Sequence, residues 1–144
     1  MPNFYHGTRW QDAQTMQGPP GGPGGIDVTR GGGEFGRGFY TQNSISNSLR
    51  WVQHRFPVNQ RPCVLQLAID DQVYTALTKL TLTARQARQL TQRLRSQGGG
   101  MTHVAGVGVI IGPLQNNVQV EQQKFESVRA QDVLNGHDTQ RTVI

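Results

Sequence analysis

The chain has little of several things that commonly stabilise or anchor a protein. It contains one cysteine, Cys63, which cannot form an internal disulfide, so a disulfide-stapled scaffold is excluded and a reducing compartment is favoured. Only 16% of its residues are charged, which excludes a charge-rich disordered chain and a coiled coil. No apolar run approaches about 18 residues, so the sequence predicts no membrane contact through a spanning helix.

Lysine is also scarce, because only Lys79 and Lys124 occur among the 14 basic residues and the other basic residues are arginines. The formal net charge is +5. The planar fork of arginine matches phosphate and carboxylate groups, so this bias leans toward an anionic partner, with a merely soluble basic surface as an equal alternative.

Glycine is abundant, and its distribution is uneven. The chain has 144 residues, the length of one domain, and 18 glycines, of which ten lie in residues 17–38 together with three prolines. That composition predicts a long loop without helix or central strand. A loop of this length inside a compact domain is more often a binding loop or lid than a slack linker. We therefore expect one domain over 1–144, with a loop at 17–38 and a loose polar tail at 135–144.

Apolar periodicity predicts strands and helices in mixed order, which is typical of the α+β class. The strands are expected at 3–6, where Gly7-Thr8 would form a turn, at 63–70 with one buried face, at 102–111 before Gly112-Pro113, and at 118–125.

Two helices are predicted. One follows a cap at Asn43 or Ser44 and runs to about Phe56, and the other spans about 83–97 and ends at three glycines. The inward positions are expected to be Ile45, Leu49, Val52 and Phe56 in the first helix and Ala84, Ala87, Leu90 and Leu94 in the second. Trp51 falls roughly 120° from the first stripe, so either it covers a neighbouring element or it faces something other than the core.

The outer face of the second helix has a distinctive charge pattern. It carries Arg85, Arg88, Arg93 and Arg95 with no acidic residue among them. Such a face can neutralise phosphates, and it predicts a nucleic-acid contact with a solvated basic surface as the alternative.

Other candidate motifs point to structure rather than chemistry. Gly106, Gly108 and Gly112 superficially match a dinucleotide-binding fingerprint, but Pro113 follows where a helix would have to open. Cys63 lies on the inward face of a predicted strand and is expected to be core. No Cys/His cluster has zinc-ligand spacing, and Asp70-Asp71 is typical of a turn, so no metal is expected.

Three short runs together resemble the ADP-ribosyltransferases of the diphtheria-toxin and poly(ADP-ribose) polymerase type, known by a His–Tyr–Glu triad. The first run is Tyr5-His6-Gly7-Thr8, the second is Gly36-Arg37-Gly38-Phe39-Tyr40-Thr41, and the third is Glu121 with Phe125 four residues later. Trp51 has the family's spacing for its second stacking aromatic. The run from Gly25 to Thr41, and Ile111-Gly112-Pro113, are similar to C-terminal toxin domains of bacterial secreted effectors.

This resemblance implies a fold and a substrate. The fold would be split antiparallel β-sheets with flanking helices around a cleft for NAD+, which is consumed as a substrate without a metal. The implied cofactor-binding residues are His6, Gly7, Thr8, Arg9, Arg37, Gly38, Phe39, Tyr40 and Trp51.

The catalytic residues implied are His6, Tyr40 and an acidic or amide group at the third motif. His6 would bind the adenosine ribose, Tyr40 and Trp51 would sandwich the nicotinamide, and Glu121 would bind the other ribose. Some toxin-like relatives place glutamine at that strand start, so Gln122 is the alternative. Because side chains alternate along a strand, only one of the two can face the pocket.

The expected activity is transfer of ADP-ribose to a macromolecule, either a protein or a structured RNA, with release of nicotinamide. The alternatives are NAD+ hydrolysis and an inactive NAD- or RNA-binding module. Met1-Pro2 stands directly before the first motif strand, so no leader is expected. The resemblance further implies delivery by a bacterial secretion system, action in the target-cell cytoplasm, and a cognate immunity protein in the producer.

Overall fold

The computed structural model describes residues 1–19, 22–98 and 103–144. These residues form two compact units, each assembled from separate stretches of chain. Unit 1 comprises 1–26, 41–76 and 132–144, and unit 2 comprises 27–40 and 77–131. Mostly antiparallel strands with flanking helices confirm the α+β class. The finer architecture and the single domain stay predictions.

Unit 1 contains a sheet in which every described pair is antiparallel. Its two central strands pair along the whole of the first strand, with His6 opposite Leu65 and Gly7 opposite Val64. The strand order is β4 (Phe39–Gln42, of which the last two residues belong to this unit), β1 (Asn3–Arg9), β5 (Pro62–Ile69) and β9 (Thr139–Val143).

The β5 strand is buried on both faces, whereas the sequence predicted one buried face. Leu65 and Leu67 are inaccessible as expected, but Val64 and Ala68 are buried as well. The reason is that two helices contact β5. The helices of unit 1 are α1 (Trp10–Gln17), α2 (Ile45–Arg55) and α3 (Asp71–Ala76), with a short 3₁₀ turn at Val58–Gln60.

Helix α2 begins where its cap was predicted, because the Ser44 side chain accepts a hydrogen bond from the Asn47 backbone at 3.1 Å. Its buried stripe differs from the prediction, since Val52 is buried with Ser48 while Ile45 and Leu49 are exposed.

Gly7 of β1 explains why α2 buries Ser48 with Val52 rather than the predicted stripe. A Cβ on Gly7 would lie 3.1 Å from both the Ser48 carbonyl oxygen and the Val52 Cβ, so the missing side chain lets this face of the helix approach the strand.

Unit 2 is organised around β7, which pairs in parallel with one strand and antiparallel with another. Phe35, Ala87 and Ile110 form its core cluster. The elements are β2 (Gly32–Gly33), β3 (Gly36–Arg37), β6 (Lys79–Thr81), α4 (Ala84–Ser96), β7 (Val109–Pro113), β8 (Glu121–Phe125) and α5 (Val128–Asn135), whose last four residues belong to unit 1.

Several predicted boundaries in unit 2 were wrong. The β7 strand begins at Val109, and it includes Gly112 and Pro113 because both continue the ladder with β8. Val118 lies outside β8 and is 62% exposed. Helix α4 starts at the Thr83 capping box, as predicted, but Ala84 is exposed. The predicted strand start at Thr102 and the predicted helix end at Gly99 and Gly100 lie outside the described residues.

The glycine-rich segment at 17–38 contains more buried side chains and more regular structure than its composition suggests. Ile26, Val28 and Phe35 are buried, and β2 and β3 form a hairpin with Gly33 opposite Gly36. The loop prediction therefore holds for most of the segment, while 32–37 is a short hairpin that apolar side chains anchor.

The predicted loose tail is instead the edge strand β9, since it pairs with β5 from Ile69 to Leu65. Arg141 of β9 also fastens the start of the glycine-rich segment, because its guanidinium donates to the carbonyl oxygens of Gln17 and Gly22 at 3.1 and 3.0 Å. The same group donates to Leu134 and Gly136.

Replacing Arg141 with alanine is expected to lower the free energy of unfolding by about 2–3 kcal/mol, because hydrogen bonds to a charged donor contribute about 1.5–3 kcal/mol. Urea denaturation measures this loss, and limited proteolysis should show earlier cleavage within 17–26. Arg50→Ala, which removes an exposed arginine of α2, is the matched control. Equal stability of the two variants would contradict the role of Arg141.

Candidate active site

The first motif lies within a strand, whereas the sequence predicted a turn at Gly7-Thr8. The β1 ladder continues through Thr8 opposite Cys63 and Arg9 opposite Pro62, and α1 begins directly afterwards. Pairing with the full length of β5 keeps this segment extended. His6 therefore occupies the middle of β1, and Thr8 is buried.

Trp51 of α2 packs against the first motif. A Cβ on Gly7 would lie 3.2 Å from Cε3 of the indole, so the ring contacts the strand where it has no side chain. The rest of the ring faces solvent, because the residue is 48% exposed. Both predicted alternatives therefore apply in part, since the ring covers β1 at Gly7 and also leaves aromatic surface on which a planar ligand can stack.

The side chain of Arg9 forms an ion pair with an acidic residue of the same unit. Its Nε lies 2.7 Å from Oδ2 of Asp12, one turn into α1. Its charge is therefore already compensated, which leaves Arg37 the better candidate of the two arginines that the resemblance implies for cofactor binding.

Tyr40 in unit 2 is fixed by the hairpin of β2 and β3. Its hydroxyl donates to the Gly36 carbonyl at 2.6 Å and accepts from the Phe35 backbone at 2.9 Å. A Cβ on Gly33 would lie 2.8 Å from the ring, so glycine is required there. Burial raises the pKa of Tyr40, and the phenol therefore stays neutral in its donor role.

Lys124 lies beneath the same hairpin and was missed as a candidate by sequence reasoning. Its side chain is inaccessible, and its Nζ donates to the Phe35 carbonyl at 2.8 Å and lies 2.6 Å from Glu126 Oε1. Burial lowers the pKa of Lys124, and the carboxylate of Glu126 opposes this shift. A lysine in an otherwise strand-like run was the only sequence signal.

The glycine of the second motif makes room for this lysine. A Cβ on Gly38 would lie 2.5 Å from Lys124 Cγ and 2.9 Å from the Phe125 carbonyl. Next to it, Phe39 is buried and Arg37 donates its backbone N–H to the His103 carbonyl at 3.0 Å. The buried Nε of Arg37 has no hydrogen-bond partner within the described ranges.

The two candidates for the third motif differ in exposure. Glu121 is exposed at the start of β8, and its carboxylate accepts from Gln123 Nε2 at 2.9 Å. Gln122 is 4% exposed, with its Nε2 3.4 Å from both the Glu34 carboxylate and the Pro113 carbonyl. The buried amide thus serves the packing of unit 2, and Glu121 is the candidate open to a ligand.

The described candidates fall into one group in each unit. His6, Gly7, Thr8, Arg9 and Trp51 belong to unit 1, and Arg37, Gly38, Phe39, Tyr40, Glu121 and Gln122 belong to unit 2. The four arginines of α4 are exposed, also in unit 2.

Neither a metal-binding cluster nor a membrane-spanning helix occurs in the described part of the chain. Residues 1–19, 22–98 and 103–144 contain no group of three His, Cys, Asp or Glu side chains that could hold a metal ion. None of their helices is long and apolar enough to cross a membrane. No family model and no curated protein matches the sequence.

Proposed function

We propose that the chain is a mono-ADP-ribosyltransferase toxin that transfers ADP-ribose from NAD+ to a macromolecule. The observation that carries the proposal is the half-exposed Trp51 ring on Gly7, two residues 44 positions apart in the sequence. The resemblance implies that Trp51 and the Gly7 backbone both contact the nicotinamide, and the contact between these two residues supports that implication. The proposed fold is the split antiparallel sheet of that family.

The reaction exchanges one bond at the nicotinamide ribose. The bond from C1′ to the nicotinamide nitrogen breaks, and the nicotinamide leaves with the bonding electrons. A nucleophilic oxygen or nitrogen of the acceptor forms the new bond to C1′, and its proton passes to the Glu121 carboxylate. That carboxylate also offsets the positive charge developing on the sugar, an electrostatic effect that favours the transition state over bound NAD+.

Each remaining candidate residue has a binding role in this proposal. His6 binds the adenosine ribose, and the Gly7 backbone with Thr8 orients the nicotinamide carboxamide. Tyr40 and Trp51 stack on the ring, each adding about 0.5–1.5 kcal/mol beyond area burial. Arg37, which is only partly buried, binds the pyrophosphate through its guanidinium.

Tryptophan fluorescence tests the stacking directly, because the chain has two tryptophans and the other, Trp10, packs under the Arg61 guanidinium. In a Trp10→Phe variant Trp51 is the sole fluorophore, and NAD+ should quench its emission. In Trp51→Phe the remaining emission should not change. Trp51→Ala should also lower nicotinamide release at subsaturating NAD+ about tenfold, a loss of about 1.4 kcal/mol.

Trp10→Ala is the matched control for release, since it removes the same side chain elsewhere in unit 1. If NAD+ quenched Trp10 rather than Trp51, or if the parent chain released no nicotinamide, the proposal would be wrong. Release without label on any macromolecule would instead identify an NAD+ glycohydrolase.

Delivery and neutralisation belong to the same proposal. The run from Gly25 to Thr41 resembles effector toxin domains, so we place the activity in the cytoplasm of a target cell, after delivery by a bacterial secretion system. The producing cell would then need an immunity protein.

A further inference from the structure

The whole formal net charge of +5 comes from unit 2. Unit 2 contains nine basic and four acidic residues, whereas unit 1 contains five of each. Within unit 2, Lys124 is neutralised by Glu126, and Arg30 lies 3.9 Å from Asp27. The excess is therefore concentrated on α4, whose arginines take part in no ion pair within the described ranges.

Two of these arginines line a groove of about 210 Å³ between α4 and the chain that follows β7. Arg88 and Arg95 are two helical turns apart, so they stand about 10.5 Å apart along the axis. Seven residues return the helix almost to the same side, so both side chains can contact phosphates of one nucleic-acid strand. The groove is lined by Arg88, Gln92, Arg95, Pro113, Leu114 and Gln115, among others.

The volume and lining of this groove fit part of a nucleotide. A space of about 210 Å³ is smaller than typical sites for whole ligands, which measure about 300–1,000 Å³, so it does not suit a dinucleotide such as NAD+. It can take a phosphate with its sugar, where arginine forks bind the phosphate, glutamine amides meet hydroxyl groups, and Pro113 and Leu114 supply an apolar wall.

The groove also adjoins the candidate catalytic carboxylate. Pro113, which lines it, is the direct partner of Glu121 in the β7–β8 ladder. Side chains of directly opposed residues project from the same face with Cβ atoms about 4.5–5.5 Å apart. A strand seated in the groove therefore lies beside the group that we propose takes the proton of the acceptor.

We infer that this surface, formed by Arg85, Arg88 and Arg95 with the groove, binds a nucleic-acid backbone, and that the acceptor of ADP-ribose is a nucleic acid. The second half of this inference rests on the proposed function, and the first half does not. Arg85, Arg88 and Arg95 share one side of α4 at unequal intervals, which suits a polymer that presents a phosphate at every nucleotide. A peptide would need acidic residues at matching intervals.

The test compares two double variants with equal charge change. Arg88→Glu/Arg95→Glu alters the groove, and Arg50→Glu/Arg55→Glu alters exposed arginines of α2 in the neutral unit. Binding of a labelled single-stranded RNA of about 20 nucleotides is measured by fluorescence anisotropy without NAD+, with DNA of the same sequence in parallel. The groove variant should bind at least about tenfold more weakly, and the α2 variant within about twofold of the parent.

Two further measurements test the inference: the salt dependence of binding, and a comparison of two single variants of α4. Loss of two phosphate contacts should reduce the slope of log K against log salt by about 1.4 for a single strand. Arg88→Glu should weaken binding more than Arg93→Glu, which changes the same helix on its other flank. Equal effects of the two double variants, or competition by polyglutamate as strong as by RNA, would overturn the inference.

A second measurement keeps this inference separate from the proposed function. The parent chain is incubated with labelled NAD+ and a cell lysate, and the product is treated with nuclease or protease. Label lost with nuclease supports a nucleic-acid acceptor, and label lost only with protease overturns that half. A chain that binds RNA through the groove but releases no nicotinamide refutes the proposed function while the binding surface stands.

Discussion

Replacing Glu121 with glutamine is expected to lower NAD+ turnover by about two to three orders of magnitude while leaving the fold intact. The side chain is exposed, and glutamine has the same size, so the loss reflects charge rather than packing. A carboxylate that offsets developing charge and accepts a proton typically contributes about 10²–10³ in rate. Nicotinamide release under saturating NAD+ measures the change.

Gln122→Met is the companion variant, because it tests the other register of the third motif. Methionine replaces the buried amide with a side chain of similar size, and the 3.4 Å contacts of Gln122 with Glu34 and Pro113 contribute little. Turnover should stay within a few fold of the parent. A collapse of activity in Gln122→Met, with Glu121→Gln unaffected, would assign the catalytic position to Gln122.

Replacing Lys124 with methionine is expected to lower the free energy of unfolding by about 3–5 kcal/mol, the usual cost of leaving one partner of a buried ion pair alone. The Glu126 side chain is 1% exposed, so its carboxylate would lose its cation without gaining water. The Phe35 carbonyl would also lose a donor next to the backbone that holds the Tyr40 hydroxyl. Urea denaturation measures the loss.

The other lysine is the natural control for this prediction. Lys79→Met removes a half-buried amine that donates to the Leu77 carbonyl, and it should cost less than about 1 kcal/mol. Adding Glu126→Gln to Lys124→Met should recover at least half of the lost stability, because a neutral amide can still accept from the Gly106 N–H. If the double variant were less stable than Lys124→Met, the unpaired carboxylate would not be the cause.

Local signals in the sequence predicted the structure well. Ser44 was recognisable as one of two candidate helix caps because its hydroxyl can satisfy a free backbone group three residues later, and the start of the second helix near Thr83 was predicted from its apolar spacing. The unpaired arginine face of α4 was equally readable, since its pattern depends only on the helical repeat. Trp51 could be placed off the core for the same reason.

Features that depend on distant partners could not be predicted. The final segment has the polar composition of a tail, and it becomes β9 only because β5 offers an edge for it. Gly7 and Thr8 have the composition of a turn, yet pairing with β5 keeps them extended. Lys124 is acceptable in the interior only because Glu126 and two carbonyl oxygens surround it.

The scarcity of lysine has a practical consequence for labelling. Because the Lys124 amine is inaccessible, Lys79 is the only lysine that an amine-directed reagent can reach in the folded chain. Partial burial lowers the pKa of Lys79, so more of it is the uncharged, nucleophilic amine at a given pH than for an ordinary surface lysine. Among side chains, acylating dyes and amine cross-linkers should therefore modify one defined position in unit 2, in the strand β6 that pairs with β7.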